Sequence, residues 1–140
     1  FLKMQNLEMR SEEYIEINDF AGTFKLKGEN SELKTKDLII IGSFISGSYD
    51  KSTNKNEIIS LNTKSKNLSY INTNNLEMES TKAIYSKKDN IIELFENVKV
   101  VRGGETITGD YAKINTLDQS YKVSSKDSSK VKVLINTTNE

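Results

Sequence analysis

Residues 97–109 read NVKVVRGGETITG, and this stretch decides how the chain folds. Val98 and Val100 alternate with polar neighbours, which places apolar side chains on one face of a strand and polar ones on the other. The pair Gly103-Gly104 separates this run from a second one, Thr106–Thr108. Because glycine readily adopts the positive φ angles of tight hairpin turns, the stretch predicts an antiparallel β-hairpin.

The same pattern recurs along the rest of the chain. Alternating runs lie at Tyr14–Ile17, Phe24–Lys27 and Val131–Val133, and clusters of Gly, Asn, Asp and Ser separate the runs. Leu76–Ala83 is the segment most compatible with a short helix, and we predict a strand there too. The sequence therefore predicts an all-β chain, with one domain over residues 1–135 and a polar tail over residues 136–140.

Internal similarity occurs at two offsets. Ile45–Tyr49 (ISGSY) resembles Ile107–Tyr111 (ITGDY), 62 residues later (107 minus 45). At an offset of 29 residues, Ala83-x-Tyr85 matches Ala112-x-Ile114 and Ile92-x-Leu94 matches Tyr121-x-Val123 (112 minus 83, 121 minus 92). Such repeats predict one strand–turn–strand unit whose copies pair or stack to bury an apolar face. We expect function in the shared interior or at the open ends.

Composition excludes several classes of function. The chain has 20 basic and 20 acidic residues, so it lacks the excess of cations that nucleic-acid binding requires. It contains no cysteine and no histidine, which excludes disulfides, thiolate sites and imidazole chemistry. No run approaches the roughly 18 apolar residues of a membrane-spanning helix. The chain opens at Phe1, which indicates a processed or trimmed segment.

The polar residues indicate no catalytic, metal or cofactor site. The stretch containing Asp50, Asn54, Asn56 and Glu57 lacks the calcium-loop pattern and is predicted to be an ordinary turn. We expect three aspartates to lie at turns and to accept hydrogen bonds from nearby backbone N–H groups: Asp89, Asp110 and Asp118. Lysines near strand ends either contact lipid phosphates or are simply solvated: Lys25, Lys27, Lys99 and Lys113.

Residues 80–135 resemble the C-terminal half of the LptA (OstA-type) lipopolysaccharide-transport proteins. The earlier copy at Ile45–Tyr49 extends the resemblance to most of the chain, and the first third matches least. The motifs are shared with the periplasmic domain of LptC and the N-terminal domain of LptD. The resemblance is carried by Ala83-x-Tyr85, Ile92-x-Leu94, Glu96-Asn97-Val98-x-Val100, Ile107-x-Gly109-Asp110, Ala112-x-Ile114 and Lys130–Ile135.

The resemblance implies an OstA-like antiparallel β-jellyroll, in which two sheets form a slightly open, twisted groove. It also implies a non-enzymatic protein in the periplasm of a Gram-negative bacterium. In this family the groove shields the acyl chains of lipid A, and protomers join head to tail as a bridge between the inner and outer membranes. The implied partners are lipopolysaccharide, like protomers, and LptC-type and LptD-type jellyroll domains.

Strand alternation provides candidates for the groove lining. We expect a channel wide enough for fatty tails, and the alternative is an ordinary closed core without ligand. The candidates are Phe24, Leu26, Ile39, Ile41, Ile92, Leu94, Val98, Val100, Ile107, Ala112, Ile114, Tyr121 and Val123.

The two ends of the chain provide candidates for contacts with partner strands. Neither end carries a proline that would block strand addition, although Lys130 and Lys132 guard the last strand in part. The candidates are Leu2, Met4, Leu7, Met9, Val131, Val133 and Ile135. Two other functions stay open: the LptC-type role in the same export complex, and a structural β-repeat that binds no lipid.

Overall fold

The computed structural model describes residues 2–4, 7–50, 57–126 and 131–135. Strands and short turns make up this part of the chain, which confirms the all-β prediction, including the strand over residues 77–86. No described segment forms a helix of the length and apolarity needed to cross a bilayer. The strands are β1 (Leu2–Met4), β2 (Leu7–Arg10), β3 (Tyr14–Asn18), β4 (Thr23–Lys34), β5 (Leu38–Asp50), β6 (Glu57–Thr73), β7 (Glu77–Ser86), β8 (Ile91–Arg102), β9 (Glu105–Asn115), β10 (Tyr121–Ser124) and β11 (Lys132–Ile135).

All the strand pairings are antiparallel, and most join consecutive strands. The order is β1-β2-β4-β5-β6-β7-β8-β9-β10, with β3 beside β4 and β11 beside β9. The predicted hairpin is β8–β9, in which Arg102 pairs with Glu105. Gly103 has a φ of 59° in its turn, the left-handed conformation for which glycine was expected there.

A line of register shifts crosses the middle of the long strands, and we call it the crease. It passes through residues 28–30, 42–44, 65–68, 80–81, 96–97 and 110. In β8, Glu96 and Asn97 are both left-handed, with φ angles of 66° and 53°. A β-bulge bends its strand, so bulges aligned across neighbouring strands fold the whole sheet.

The crease divides the sheet into two facing layers. Layer A contains β1, β2, β11 and residues 31–34, 38–41, 69–73, 77–79, 98–102 and 105–108. Layer B contains β3, β10 and residues 23–27, 45–50, 57–64, 82–86, 91–95 and 111–115. Buried residues of both layers belong to one hydrophobic core, so the layers pack face to face as a β-jellyroll.

Small residues line the inside of the crease. Ser31, Ser69 and Ser80 are all buried, and a Cβ added at Gly42 would lie 3.1 Å from Ser69 Oγ. Ser31 Oγ donates a 2.7 Å hydrogen bond to the Gly28 carbonyl oxygen. Larger side chains at these positions would hold the two layers apart.

Only one of the two internal repeats corresponds to a structural repeat. Ala83 and Ala112 both lie opposite Leu94, so the 29-residue repeat relates successive hairpins of layer B. The 62-residue match is wrong as a structural unit, because Ile45–Tyr49 lies beyond the crease in β5 whereas Ile107 lies before it in β9. The segment of β5 that corresponds to Gly109–Tyr111 is Gly42–Phe44, since both cross the crease.

Candidate functional site

An unbroken row of apolar residues crosses layer A from β2 to the edge strand β11. Each member lies directly opposite the next in the strand register, and the described members from Met9 to Val100 are at most 1% exposed. The row consists of Met9, Leu33, Ile40, Ile71, Met78, Val100, Ile107 and Val133, and in the backbone register Leu2 of β1 pairs with Met9.

Two further rows cross the inner face of layer B in the same way. Thr63 is the single polar member of the first row. The first row is Ile15, Leu26, Ile45, Thr63, Ala83, Leu94, Ala112 and Val123. The second row is Ile17, Phe24, Gly47, Tyr85, Ile92, Ile114 and Tyr121, and β6 crosses it between Gly47 and Tyr85 in the backbone register.

Most of the candidate lining residues face this interior. Ile107 is half-buried on the same face as Val100, and Tyr121 and Val123 pack against the core from its margin. Lipid contact by these residues stays a prediction. The fully buried candidates are Phe24, Leu26, Ile92, Leu94, Val98, Val100, Ala112 and Ile114.

The prediction that Ile39 and Ile41 line the interior is wrong. Leu38 and Ile40 point inward, and Ile39 and Ile41 lie on the opposite face of β5. Residues 38–41 are apolar without interruption, so alternation gives no indication of which pair is buried. Several core residues were not predicted from the sequence, among them Leu33, Ile71 and Met78. The position of Met78 between Glu77 and Glu79 is an alternation of polar and apolar residues that could have predicted its burial.

The candidates for partner contact divide into buried and exposed groups. Leu7 and Met9 are 1% exposed, so their predicted contact with a partner is wrong: β2 lies inside the sheet, between β1 and β4. β1 is the edge strand at this end, and the side chains of Leu2 and Met4 lie outside the described part of the structure.

The opposite edge of layer A is β11, which presents apolar side chains to solvent. Val133 is 55% exposed, Leu134 67% and Ile135 60%, whereas Val131 precedes the strand. Neighbouring strand residues point to opposite faces. The edge is therefore apolar on both faces, which is unusual for an unprotected edge. Lys130 lies outside the described residues.

The interior has the chemistry of hydrocarbon. Among the described residues, every buried polar side chain is a serine or threonine and none is charged. The hydroxyl groups of Thr63 and Ser69 have no hydrogen-bond partner. The core side chains are at most 8% exposed, so the interior between the layers is closed to solvent in this structure, and the wide channel that was expected is not open.

The described residues contain no metal-binding cluster. No group of three or more acidic side chains there lies close enough together to hold a metal ion. Of the stretch considered for calcium, Asn54 and Asn56 lie outside the described part.

The aspartates that were expected at turns have different roles. Asp118 accepts hydrogen bonds from Ser120 Oγ (2.6 Å) and Ser120 N (2.9 Å), which lower the pKa of its carboxyl group and confirm its turn role. Asp110 was expected at a turn but lies in β9 at the crease. It accepts hydrogen bonds from Ser125 Oγ (2.7 Å) and Lys126 N (3.0 Å). Asp89 accepts one from Ser86 Oγ (3.1 Å).

The four lysines considered for phosphate contact point outward. Lys25, Lys27 and Lys113 are exposed between inward neighbours, and Lys99 Nζ lies 3.9 Å from Glu79 Oε2. They lie within strands rather than at the margin of the apolar interior.

A polar cluster closes the interior opposite the crease, at the C-terminal side. The Arg102 guanidinium carbon lies 5.0 Å from the centre of the Tyr121 ring, and Arg102 Nη1 donates a 3.3 Å hydrogen bond to the Gln119 carbonyl oxygen. The Tyr121 hydroxyl donates to Glu105 Oε1. Burial, followed by this hydrogen bond to a carboxylate, raises the pKa of Tyr121.

Comparison with solved structures identifies the architecture. No protein-family model and no curated protein sequence matches the chain. The crystal structure of LptH from Pseudomonas aeruginosa, described as the LptA-homologous periplasmic component of the lipopolysaccharide transport device, superimposes with a TM-score of 0.76. The match covers 94% of this chain and 96% of LptH at 15% sequence identity. This chain has the LptA-type β-jellyroll fold.

The LptA-type fold gives the creased sheet a known counterpart. The agreement extends over nearly the whole of both chains, so it includes both layers and not only the hairpins of residues 80–135. At this level of identity, fold is what the comparison shows, and function has to be argued from the site.

Proposed function

We propose that this protein is a periplasmic carrier of lipopolysaccharide, which shields the acyl chains of lipid A between layers A and B. The proposal includes head-to-tail assembly into a bridge between the inner and outer membranes of a Gram-negative bacterium. LptC-type and LptD-type jellyroll domains are the partners that such a bridge would meet at its ends.

The observation that carries the proposal is the apolar row of layer A. A closed globular core ends before the edge strands, because edges are normally polar or covered. Here the row continues through the register to Val133 in the edge strand β11, which is 55% exposed. An apolar surface that reaches an open edge is what a relay of hydrocarbon from one protomer to the next requires.

The energetics favour uptake that is coupled to separation of the layers. Each methylene group removed from water contributes about 0.8 kcal/mol, so one chain of about ten methylenes contributes about 8 kcal/mol before costs. The closed interior has to widen first, which gives up packing between the two layers. Several acyl chains on one lipid supply that energy, whereas a single fatty acid supplies far less.

The exposed edge of β11 supports end-to-end assembly. Its outer backbone N–H and C=O groups can pair with an edge strand of another copy, such as β1. A contact between two different edges is heterologous, so it builds open filaments rather than closed rings. In such a filament the row ending at Val133 would continue into layer A of the next copy.

Lipid that co-purifies with the protein tests the proposal. The protein is isolated without detergent from the periplasm of a Gram-negative host, and bound lipid is identified by native mass spectrometry. We expect lipid A species on the wild type. The variant Ala112→Leu, which fills the interior, should retain less, and Lys113→Leu on the outer face should retain as much as the wild type. Folded protein that never carries lipid A would contradict the proposal and favour a structural β-repeat.

A further inference from the structure

The side of the jellyroll opposite the crease is a mouth along which the turn ends of the two layers meet. Layer A ends there in the β8–β9 turn, and layer B ends in the β9–β10 turn. Four residues of these two ends contact each other, and we call them the clasp: Arg102, Glu105, Gln119 and Tyr121.

The clasp joins layer A to layer B through side-chain contacts and one hydrogen bond from a side chain to a backbone carbonyl. Arg102 and Glu105 flank the β8–β9 turn of layer A, whereas Gln119 and Tyr121 belong to the β9–β10 turn and β10 of layer B. The Arg102 guanidinium covers the Tyr121 ring at 5.0 Å and reaches the Gln119 carbonyl at 3.3 Å. The Tyr121 hydroxyl donates to the Glu105 carboxylate. No backbone ladder crosses the mouth at these residues.

The clasp lies at the end of the inward-facing rows. Tyr121 is directly opposite Ile114, a buried residue of layer B, and is therefore on the inner face. Glu105 lies two residues before Ile107, and Arg102 lies two residues after Val100. Because residues two apart in a strand share a face, both are on the inner face of layer A. Parting these side chains would open the apolar interior at this position.

The closed clasp is held weakly. Arg102 is exposed, and an exposed cation–π contact is among the weaker interactions in a protein. The Gln119 side-chain oxygen is buried without a hydrogen-bond partner, which disfavours the closed state.

We propose that the clasp is the gate through which an acyl chain passes between the β8–β9 hairpin and β10. This inference rests on the proposed function and adds to it a location for uptake and release. Tyr121 and Glu105 close the gate from within, and Arg102 holds it from the solvent side. Opening needs only these side chains to separate, because the backbone pairing of β9 with β10 lies on the layer B side of the gap.

A reversible lock tests the gate. The chain has no cysteine, so the pair Arg102→Cys and Gln119→Cys is joined specifically by a short bis-maleimide. Uptake of fluorescent lipid A from phosphatidylcholine vesicles is then followed with the full chain. We expect cross-linked protein to take up lipid at least about tenfold more slowly than the same variant capped with a monofunctional maleimide, as expected for a blocked gating step.

A second variant weakens the clasp without a cross-link. Arg102→Ala should raise the uptake rate about threefold. This is the change in the equilibrium between closed and open clasp that is expected when one exposed cation–π contact is lost. Lys122→Ala, exposed on the outer face of β10, should leave the rate unchanged. Faster hydrogen exchange at the Tyr121–Ser124 amides in Arg102→Ala, and not in Lys122→Ala, would show directly that the clasp restrains β10.

The outcomes separate the gate from the carrier. If cross-linked and capped proteins load lipid A equally fast, the gate is wrong and the carrier function stands. If neither the wild type nor any variant takes up lipid A, the carrier function is wrong, and the gate proposal is wrong as well. Slow loading of the cross-linked protein alone supports both.

Discussion

Gly109 lies directly against Val123: a Cβ added at Gly109 would lie 2.6 Å from Val123 Cγ1 and 2.8 Å from the Ser124 carbonyl oxygen. Gly109 is in β9 at the crease, and Val123 is in the edge strand β10. The absence of a side chain at Gly109 is therefore what lets β10 close over the fold. This contact connects the Ile-x-Gly-Asp motif to the assembly of layer B.

Replacing Gly109 by alanine should destabilise the protein by about 1–3 kcal/mol, the usual cost of overpacking. Chemical denaturation measures the change in the free energy of unfolding. The double variant Gly109→Ala/Val123→Ala should recover part of the loss, because it removes the nearest atom. Hydrogen exchange of β10 that is unchanged in Gly109→Ala would contradict this role of the glycine.

Glu96→Gly should make the protein more stable. Glu96 has a φ of 66° in the β8 bulge, and a left-handed residue other than glycine costs about 1–2 kcal/mol. Glycine loses more backbone entropy on folding, so we expect a net gain of about 0.5–1 kcal/mol in the free energy of unfolding. Lys113→Gly, in a regular part of β9, serves as the matched control and should lower stability. A loss of stability in both variants would contradict the proposed strain.

Tyr111 should ionise only in strongly alkaline solution. Its hydroxyl donates a 2.6 Å hydrogen bond to Glu93 Oε2, and this bond together with burial raises the pKa of Tyr111 to about 12. Phenolate absorbance should therefore include a late component that Tyr111→Phe removes. Glu93→Gln should move that component towards the ordinary pKa near 10. Titration curves of the wild type and of Tyr111→Phe that differ only near the ordinary pKa of 10, and not at higher pH, would contradict the hydrogen bond.

The raised pKa of Tyr111 also makes stability depend on pH. The folded protein holds the phenolic proton more tightly than the unfolded chain does, so the contribution of Tyr111 is fully present below the unfolded pKa of about 10. It is lost as the pH rises from about 10 to about 12. The free energy of unfolding should fall less steeply over this range in Tyr111→Phe. Tyr49 and Tyr121 also have raised pKa values, so part of the slope should persist.

Val133→Asp should disrupt end-to-end association. Val133 ends the inward row of layer A at the exposed β11 edge, and a charge there would face the continued row of the next copy. We expect the association to weaken at least about tenfold by analytical ultracentrifugation, as for a central apolar contact of an interface. Lys132→Asp, on the opposite face of the same strand, should have a smaller effect. Equal effects would mean that the row does not continue between protomers.

Strand and hairpin signals in the sequence predicted much of the fold. The alternation around Val98 and Val100 and the glycines that follow them led to β8–β9, and the 29-residue repeat gave the paired hairpins of layer B. The resemblance to the LptA family led to the two-layer architecture, which the match to LptH confirms. Eight of the thirteen proposed lining residues are fully buried between the layers.

The parts that were wrong depend on information that local patterns do not contain. The uninterrupted run Leu38–Ile41 leaves the inward face undetermined. The bulges at the crease interrupt the alternation of inward and outward residues in β4, β5 and β7. In β8 the bulge is formed by Glu96 and Asn97, whereas a glycine at this place would have predicted a bulge from the sequence. Leu7 was expected at an edge, but β1 pairs with β2 and leaves it inside the sheet. The clasp joins Arg102 to Tyr121, which lie close together only after the sheet has folded.

Site-specific photo-cross-linking tests the central claim most directly, that acyl chains lie between the two layers. A photoreactive residue is placed at Leu94 or Val100 in the interior, and at the adjacent outward positions Glu93 or Lys99 as matched controls. After exposure to lipopolysaccharide, we expect adducts at Leu94 and Val100 and none at Glu93 and Lys99. Adducts at the outward positions alone, or none at any interior position of a folded protein, would contradict the account.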